Sequence, residues 1–303
     1  MEVGLKNILT LLENDGPLTG KDILAKTGAN EFNVWYYCVS SPQIKTKIVG
    51  KRYLRLDRQV EGYARLSPSI MREFYGYTMI GTIDQAEEIN RKADQLYEQI
   101  VSISKNKFQL AQDLITNLAE SQNLTDQLNK NACAMIAGDV TYHMSHMEPR
   151  PEMSTGEMVQ GSDLDIVIIT NGLENKTTEF FDSLLYHEKY RLLRSPSYRE
   201  EIDYLVKSVA KVEQQLQFDC FEAMIACKIL NEGKFLYGNH DLFQNLKNRL
   251  TQKGIPQKLL QLEQKAILHR NEAEIRLFNH PDLLLTKEFT QLFYTTKEKE
   301  EFF

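Results

Sequence analysis

Cysteine is scarce. The 303 residues include four (Cys38, Cys133, Cys220, Cys227), scattered without any C-x-x-C spacing. That excludes a disulfide framework or a thiolate zinc site, and each thiol reads as a small hydrophobe. No apolar run approaches the roughly 20 residues of a membrane-spanning helix, and residues 1–12 have neither the basic start nor the apolar length of a secretory signal. A cytoplasmic chain with no membrane partner is therefore expected. At 42% hydrophobic and 26% charged, the composition is that of an ordinary folded protein with room for two or three packed units. The net charge of -6 hides an asymmetry: residues 1–66 hold ten Lys/Arg against seven Asp/Glu. The amino end is thus basic and the remainder acidic.

Within that basic stretch, Leu5, Ile8, Leu9, Leu11 and Leu12 recur at helical spacing up to Asp15-Gly16. Thr19 stands as the N-cap of a second helix ending at Gly28, and "ANEFNVWYYCVS" supplies an aromatic third. "IKTKIVGKRYLRLD" alternates in period two around Gly50-Lys51, which predicts a two-stranded hairpin and, with the helices, a winged helix-turn-helix over residues 1–66. Lys45, Lys47, Lys51 and Arg52 on that wing are candidate contacts to nucleic-acid phosphates. The third helix lacks Lys and Arg and carries Phe32, Trp35, Tyr36 and Tyr37, so docking to a protein is the competing reading.

Residues 67–130 read as a helical connector. Ser67-Pro68 is the N-cap and N1 pair of a helix, and residues 84–120 run without Pro or Gly, with Ile89, Leu96, Ile100, Ile103, Leu110, Leu114, Ile115 and Leu118 on an apolar stripe. The opposite face is charged: a solvated surface, or a dimerisation helix that would make the protein a homo-oligomer.

"MVQGSDLDIVIIT" places Asp163 and Asp165 one residue apart before an apolar run that reads as a strand buried on both faces. Period-two geometry points both carboxylates the same way. A hard divalent cation, Mg²⁺ (or Mn²⁺), would relieve their repulsion; the alternative is plain turn chemistry, with Gly-Ser-Asp capping a loop. Upstream, "ACAMIAGDVTYHM" ends its apolar stretch in Ala137-Gly138-Asp139, a turn able to bring backbone N–H groups to a phosphate.

Together, "GSDLDIVII" and the upstream small-residue turn resemble the signature of the DNA polymerase β-like nucleotidyltransferase superfamily. "ACKILNEGKFLYGN" is similar to a helix end of the minimal bacterial members. The resemblance spans residues 132–239, with its parts in the expected order. It implies an α+β chain: the winged helix, the helical connector, a small mixed-sheet nucleotidyltransferase core over 131–239 and carboxyl-terminal helices over 240–303. It also implies Asp163 and Asp165 as metal ligands and Gly138, Asp139, Gly161 and Ser162 as the nucleotide-binding turns. Asp139 departs from the hydroxyl residue usual there, and the spacer to Asp163 is longer than usual. A third carboxylate belongs on a neighbouring strand after a helix. Asp203, inside the apolar run "IDYLV", is preferred over Asp219, which periodicity places on a helix.

The implied activity is Mg²⁺-dependent transfer of a nucleotidyl group from an NTP or dNTP to an acceptor hydroxyl, with Asp203 deprotonating or aligning the acceptor. An amino-terminal winged helix would suit a sensor in phage defence or a toxin–antitoxin system. The alternative is a DNA-binding regulator or antitoxin-like protein that uses the fold as a scaffold. "YHMSHMEPRPEM", with His143 and His146, reads as a mobile lid rather than a metal site.

Overall fold

In the amino-terminal region the helices that start at Gly20, Glu31 and Ile70 each begin where a side chain satisfies the first amides, whereas the one that starts at Leu5 follows Gly4 and has no side-chain cap. The structure is a computed structural model that describes residues 4–152, 155–280 and Phe293. It is mixed α+β and forms two compact units. One contains the described residues up to Arg55, Ala64–Gln99 and those from Glu263; the other contains Leu56–Tyr63 and Ile100–Leu262. Among the described residues, no helix is long and apolar enough to cross a membrane.

In the first unit, α1 (Leu5–Asp15) is followed by β1 (Leu18–Thr19). α2 (Gly20–Thr27) opens with a reciprocal capping box between Thr19 and Asp22, and Asn30 caps α3 (Glu31–Ser40) by accepting from the Phe32 and Asn33 amides. Next come β2 (Ile44–Ile48), β3 (Tyr53–Leu56), β4 (Ala64–Ser67), α4 (Ile70–Tyr77) and β5 (Thr78–Thr82). The expected hairpin is absent. β2 pairs with β5, β3 pairs with β4, and the main sheet runs β1-β5-β2. All five residues of β5 are buried, so this central strand takes a partner on each side. Alternation marked residues 44–56 as strands but carries no information about which strand each one meets. The predicted cap at Ser67-Pro68 also moves: Ser67 ends β4, and Ser69 Oγ accepts from the Arg72 amide at 3.1 Å.

Around this sheet Ile8, Leu12, Ile23, Phe32, Trp35 and Phe74 form a core joined by Ala273, Leu277 and Phe293. The aromatic helix is thus turned inward: Phe293 lies 5.3 Å from both the Phe32 and the Trp35 rings.

α5 (Ala86–Ser121) is one unbroken helix whose residues divide between the units. The second unit continues with α6 (Thr125–Asn131), β6 (Ala132–Ile136), α7 (Asp139–Tyr142), β7 (Pro149–Pro151), β8 (Met158–Gln160), β9 (Leu164–Thr170), α8 (Asn175–Arg194), β10 (Ile202–Ser208), α9 (Val209–Gln215), α10 (Phe221–Glu232), β11 (Lys234–Gly238) and α11 (His240–Gln252). α12 (Ile255–Asn279) follows. The helical reading of the carboxyl end holds this far; beyond residue 280 the rest of that region, except Phe293, lies outside the described residues.

A four-stranded sheet ordered β10-β9-β6-β11 forms the second unit's centre, with β9 and β10 parallel and the other pairs antiparallel. Leu164, Ile166, Ile168 and Ile202 turn one way, onto Leu114, Ile115 and Leu118 of α5 and Phe181 and Leu185 of α8. By alternation, Asp163, Asp165 and Asp203 turn the other way. Lys107 of α5 fixes the strand entrances: its buried ammonium donates to Glu200 Oε2 at 2.5 Å and to the Gln160 carbonyl at 3.1 Å. Burial pushes the Glu200 carboxyl up, and the Lys107 charge opposes that shift.

Lys107→Met should lower the unfolding free energy from urea denaturation by about 3–5 kcal/mol, because it strands a buried carboxylate. Lys107→Met/Glu200→Leu should recover most of that loss.

Candidate metal centre

Parallel register sets Asp203 directly beside Asp165, and Asp163 precedes β9 by one residue. One carboxylate oxygen from each of the three lies within 4.8 Å of the others. Asp163 and Asp165 are partly buried, and Asp203 is exposed. Asp219 lies in the segment between α9 and α10, on neither helix nor strand, and outside the cluster.

Two glycines shape the floor. Gly138 has φ +70°, and a Cβ there would overlap Asp165 Oδ2, so the turn after β6 closes onto the cluster only without a side chain. Gly161 has φ +75°, and its Cβ would run into the His146 carbonyl. Ser162 Oγ, buried, donates to Asp139 Oδ2 at 3.0 Å and accepts from the His146 amide at 3.2 Å. Of the four residues expected at the nucleotide, Gly138 abuts Asp165, Asp139 bonds Ser162, and Gly161 and Ser162 directly precede Asp163 in the chain. Their amides, however, are largely engaged within the protein: Gly138 N–H donates to Glu232 Oε1 (3.1 Å), Gly161 N–H to the Glu148 carbonyl (3.0 Å) and Ser162 N–H to the His146 carbonyl (3.1 Å). These turns serve to hold the carboxylates in place.

The segment expected to be a lid is partly a two-stranded ribbon, β7 paired with β8; Met153 lies outside the described residues. Buried Arg150 anchors the ribbon. Its Nε donates to the Gly161 carbonyl at 2.9 Å, and its Nη2 lies 2.7 Å from Glu201 and 4.0 Å from Asp163. His146 Nδ1 accepts from the Glu148 amide, an ordinary loop contact.

Several residues of the site were not anticipated. Glu232, within "KILNEGKFLYG", accepts from the Gly138 amide and from Tyr142 Oη (2.5 Å) and pairs with Lys228 (2.6 Å). It ties α10 to the Gly138 turn, which gives that sequence landmark a physical reason. Lys189 of α8 donates to Asp203 Oδ1 at 3.2 Å. A cleft of about 540 Å³ opens beside the cluster, lined by Asp165, Asp203, Tyr186, Lys189, Tyr190 and Leu205 among others. The Tyr186 and Tyr190 rings sit 4.9 Å apart, and Tyr186 is exposed. The i, i+3, i+4 spacing of 186, 189 and 190 could have revealed this helix face in the sequence.

Removal from water, reinforced by Asp163, Asp203, Asp139 and Glu232, holds the Asp165 carboxyl well above the ordinary carboxylate range. All-oxygen donors, excess negative charge and this cost of ionisation fit a hard divalent cation.

On the basic segment, Lys45 and Lys51 are exposed and Lys47 pairs with Asp94 at 3.0 Å. Arg52, half-buried, is engaged by carboxylates of its own unit rather than standing clear as a phosphate contact would. It is forked onto Glu73 (2.6 and 2.7 Å) and bonded to Glu274 (3.0 Å), because buried Glu73 demands a partner.

Comparison with protein-family models, with curated proteins and with solved structures finds no match.

Because the folded pKa of Asp165 is raised, the metal-free protein loses stability as pH climbs from the unfolded value toward the folded one. A divalent cation binds the ionised form, so its stabilisation grows with pH. Thermal melts should show Mn²⁺ raising Tm more at pH 8 than at pH 5. Asp165→Asn should raise the metal-free Tm at pH 8 and remove most of the Mn²⁺ response.

Proposed function

We propose that the chain is a Mg²⁺-dependent nucleotidyltransferase that moves a nucleotidyl group from an NTP or dNTP onto an acceptor hydroxyl and releases pyrophosphate. The observation that carries this reading is the parallel register of β9 and β10, which brings Asp203 to Asp165 and Asp163 at the mouth of an open cleft. The core is then a nucleotidyltransferase core of the polymerase β-like kind, as the resemblance of residues 132–239 implies.

Asp163, Asp165 and Asp203 would hold the ion, which when bound neutralises triphosphate charge and activates the acceptor hydroxyl. Asp203, the most exposed of the three and held by Lys189, would take the proton of the acceptor hydroxyl as its oxygen bonds to the α-phosphorus. The bond from that phosphorus to the bridging oxygen breaks, and pyrophosphate leaves. The Tyr186 and Tyr190 faces offer stacking surface for a base.

The first unit reads as a winged helix with an enlarged wing. Support comes from the order α1-β1-α2-α3-β2 and a sheet in which β5 lies between β1 and β2. On this reading β2 and β5 are the wing strands, and β3, β4 and α4 are inserted between them. Lys45, Lys47 and Lys51 are its candidate phosphate contacts.

Incubating the protein with Mg²⁺ and each labelled nucleotide and resolving the products tests the activity. Asp163→Ala and Asp165→Ala should each abolish transfer with the fold intact, as judged by circular dichroism. Asp203→Asn should lose at least about a hundredfold in rate, whereas Asp219→Asn should stay near wild type; the reverse order would relocate the third carboxylate.

For nucleic acid, anisotropy titrations over a salt series should show log K falling linearly with log salt. Lys45→Ala/Lys51→Ala should flatten that slope by about two units. A salt slope unchanged by the pair would remove the wing from the interface.

A further inference from the structure

The cations set against the carboxylates of the second unit differ in how firmly they are held. Arg150, 4% exposed, also donates to the Gly161 carbonyl and pairs with Glu201. Lys228, 13% exposed, is paired with buried Glu232. Lys189 is different. Its ammonium donates to Asp203 Oδ1 at 3.2 Å and to no other described residue, and the two side chains are 23% and 51% exposed. An exposed ion pair of this kind contributes little and exchanges readily. Lys189 also shares with Tyr186 and Tyr190 the α8 face that lines the cleft. An ammonium that leaves Asp203 therefore stays within the cleft on its flexible four-carbon stem.

Two demands on Asp203 compete with this contact. A hard cation seated on Asp163, Asp165 and Asp203 takes carboxylate oxygens at about 2.0–2.6 Å and would lie about 5 Å from the ammonium. The double charge of the ion repels Lys189 more strongly than one half-exposed carboxylate retains it. In nucleotidyl transfer Asp203 also receives the acceptor proton. With one oxygen on the ion, the proton needs the other, so the ammonium has to move whichever oxygen the ion takes.

We propose that Lys189 is an exchangeable placeholder for the divalent ion on Asp203. It holds the third carboxylate in the metal-free protein, yields it when the ion binds and passes to a phosphate of the nucleotide in the cleft. The exchange with metal stands on the geometry of the cluster; the phosphate contact rests on the transferase reading. Lys189 is then a positioning residue that couples the two ligands, because the ion that displaces the ammonium makes it available to phosphate.

The Mn²⁺ affinity of the full chain without nucleotide is read from the free-ion signal in electron paramagnetic resonance. Lys189→Met should tighten it about tenfold, and Lys189→Arg, which keeps the charge, should stay near wild type. In an Asp203→Asn background Lys189→Met should have no such effect, since the contested carboxylate is gone. At saturating Mn²⁺, calorimetric titration with α,β-methylene-ATP, which cannot transfer its nucleotidyl group, should show binding about tenfold weaker in Lys189→Met and close to wild type in Lys189→Arg. The placeholder role is overturned by Mn²⁺ affinity that is unchanged or weaker in Lys189→Met, or by tightening that persists beside Asp203→Asn, the mark of a general field effect. The phosphate contact is overturned by α,β-methylene-ATP affinity indifferent to Lys189→Met. Failure of the transferase reading looks different: no labelled product forms with any acceptor, while the Mn²⁺ response to Lys189→Met stands.

Discussion

Mutual repulsion among carboxylates is the constraint around which the second unit is arranged. Three acids with oxygens within 4.8 Å of one another would spread apart on a flexible loop. They stay together because two of them belong to paired parallel strands whose other faces are sealed into the core by Leu164, Ile166, Ile168 and Ile202. A one-residue slip of either strand would turn its acid into that core. Hydrophobic burial on one face thus enforces the charge density on the other. Counter-charges stand at the edges: Arg150 beside Asp163, Lys189 on Asp203 and Lys228 on Glu232.

The same logic operates in the first unit on a smaller scale. Arg52, Glu73, Arg270 and Glu274 draw four charges into a largely apolar surrounding, with Arg270 also donating to the Pro68 carbonyl at 2.9 Å. Buried pairs of this kind add little net stability over apolar residues, but they penalise every arrangement that leaves one member alone. They therefore act as locators. Glu73 fixes α4, Arg270 and Glu274 fix α12, and Arg52 fixes the segment ahead of β3. The quartet specifies how helices distant in sequence meet, a task for which interchangeable leucines are less suited.

What the sequence disclosed and what it hid follow from the range of the forces involved. Helix starts at Thr19 and the long run of α5 depend on neighbours a few positions away and were legible. The strand that ends at Thr170 was legible from its apolar run, and Asp203 was preferred on a strand of its own although a helix continuing from Tyr198 fitted the same residues. Pairing was not: the partner of β2 lies about thirty residues on, and period-two alternation is silent about it. Arg52 looked like a surface cation because its partners, Glu73 and Glu274, are remote in sequence. Glu232 was visible only as a letter in a pattern, since its contact with the Gly138 amide spans 94 positions. The glycines at 138 and 161 could be read as turns from the sequence, but whether an amide faces a ligand or a neighbouring carbonyl is a three-dimensional property.

The discontinuity of the first unit bears on how the chain is made. Its sheet and first helices are near the amino end, yet Ala273 and Leu277, buried in its core, come from α12. During synthesis the early segment must wait, its Trp35 and Phe32 face unsealed and Glu73 lacking Arg270, while residues 100–262 are added. Those residues are nearly all of the second unit and can collapse as soon as they emerge. The order of maturation therefore inverts the order of the sequence: the carboxylate-bearing unit can be finished first, and the amino-terminal one is closed last.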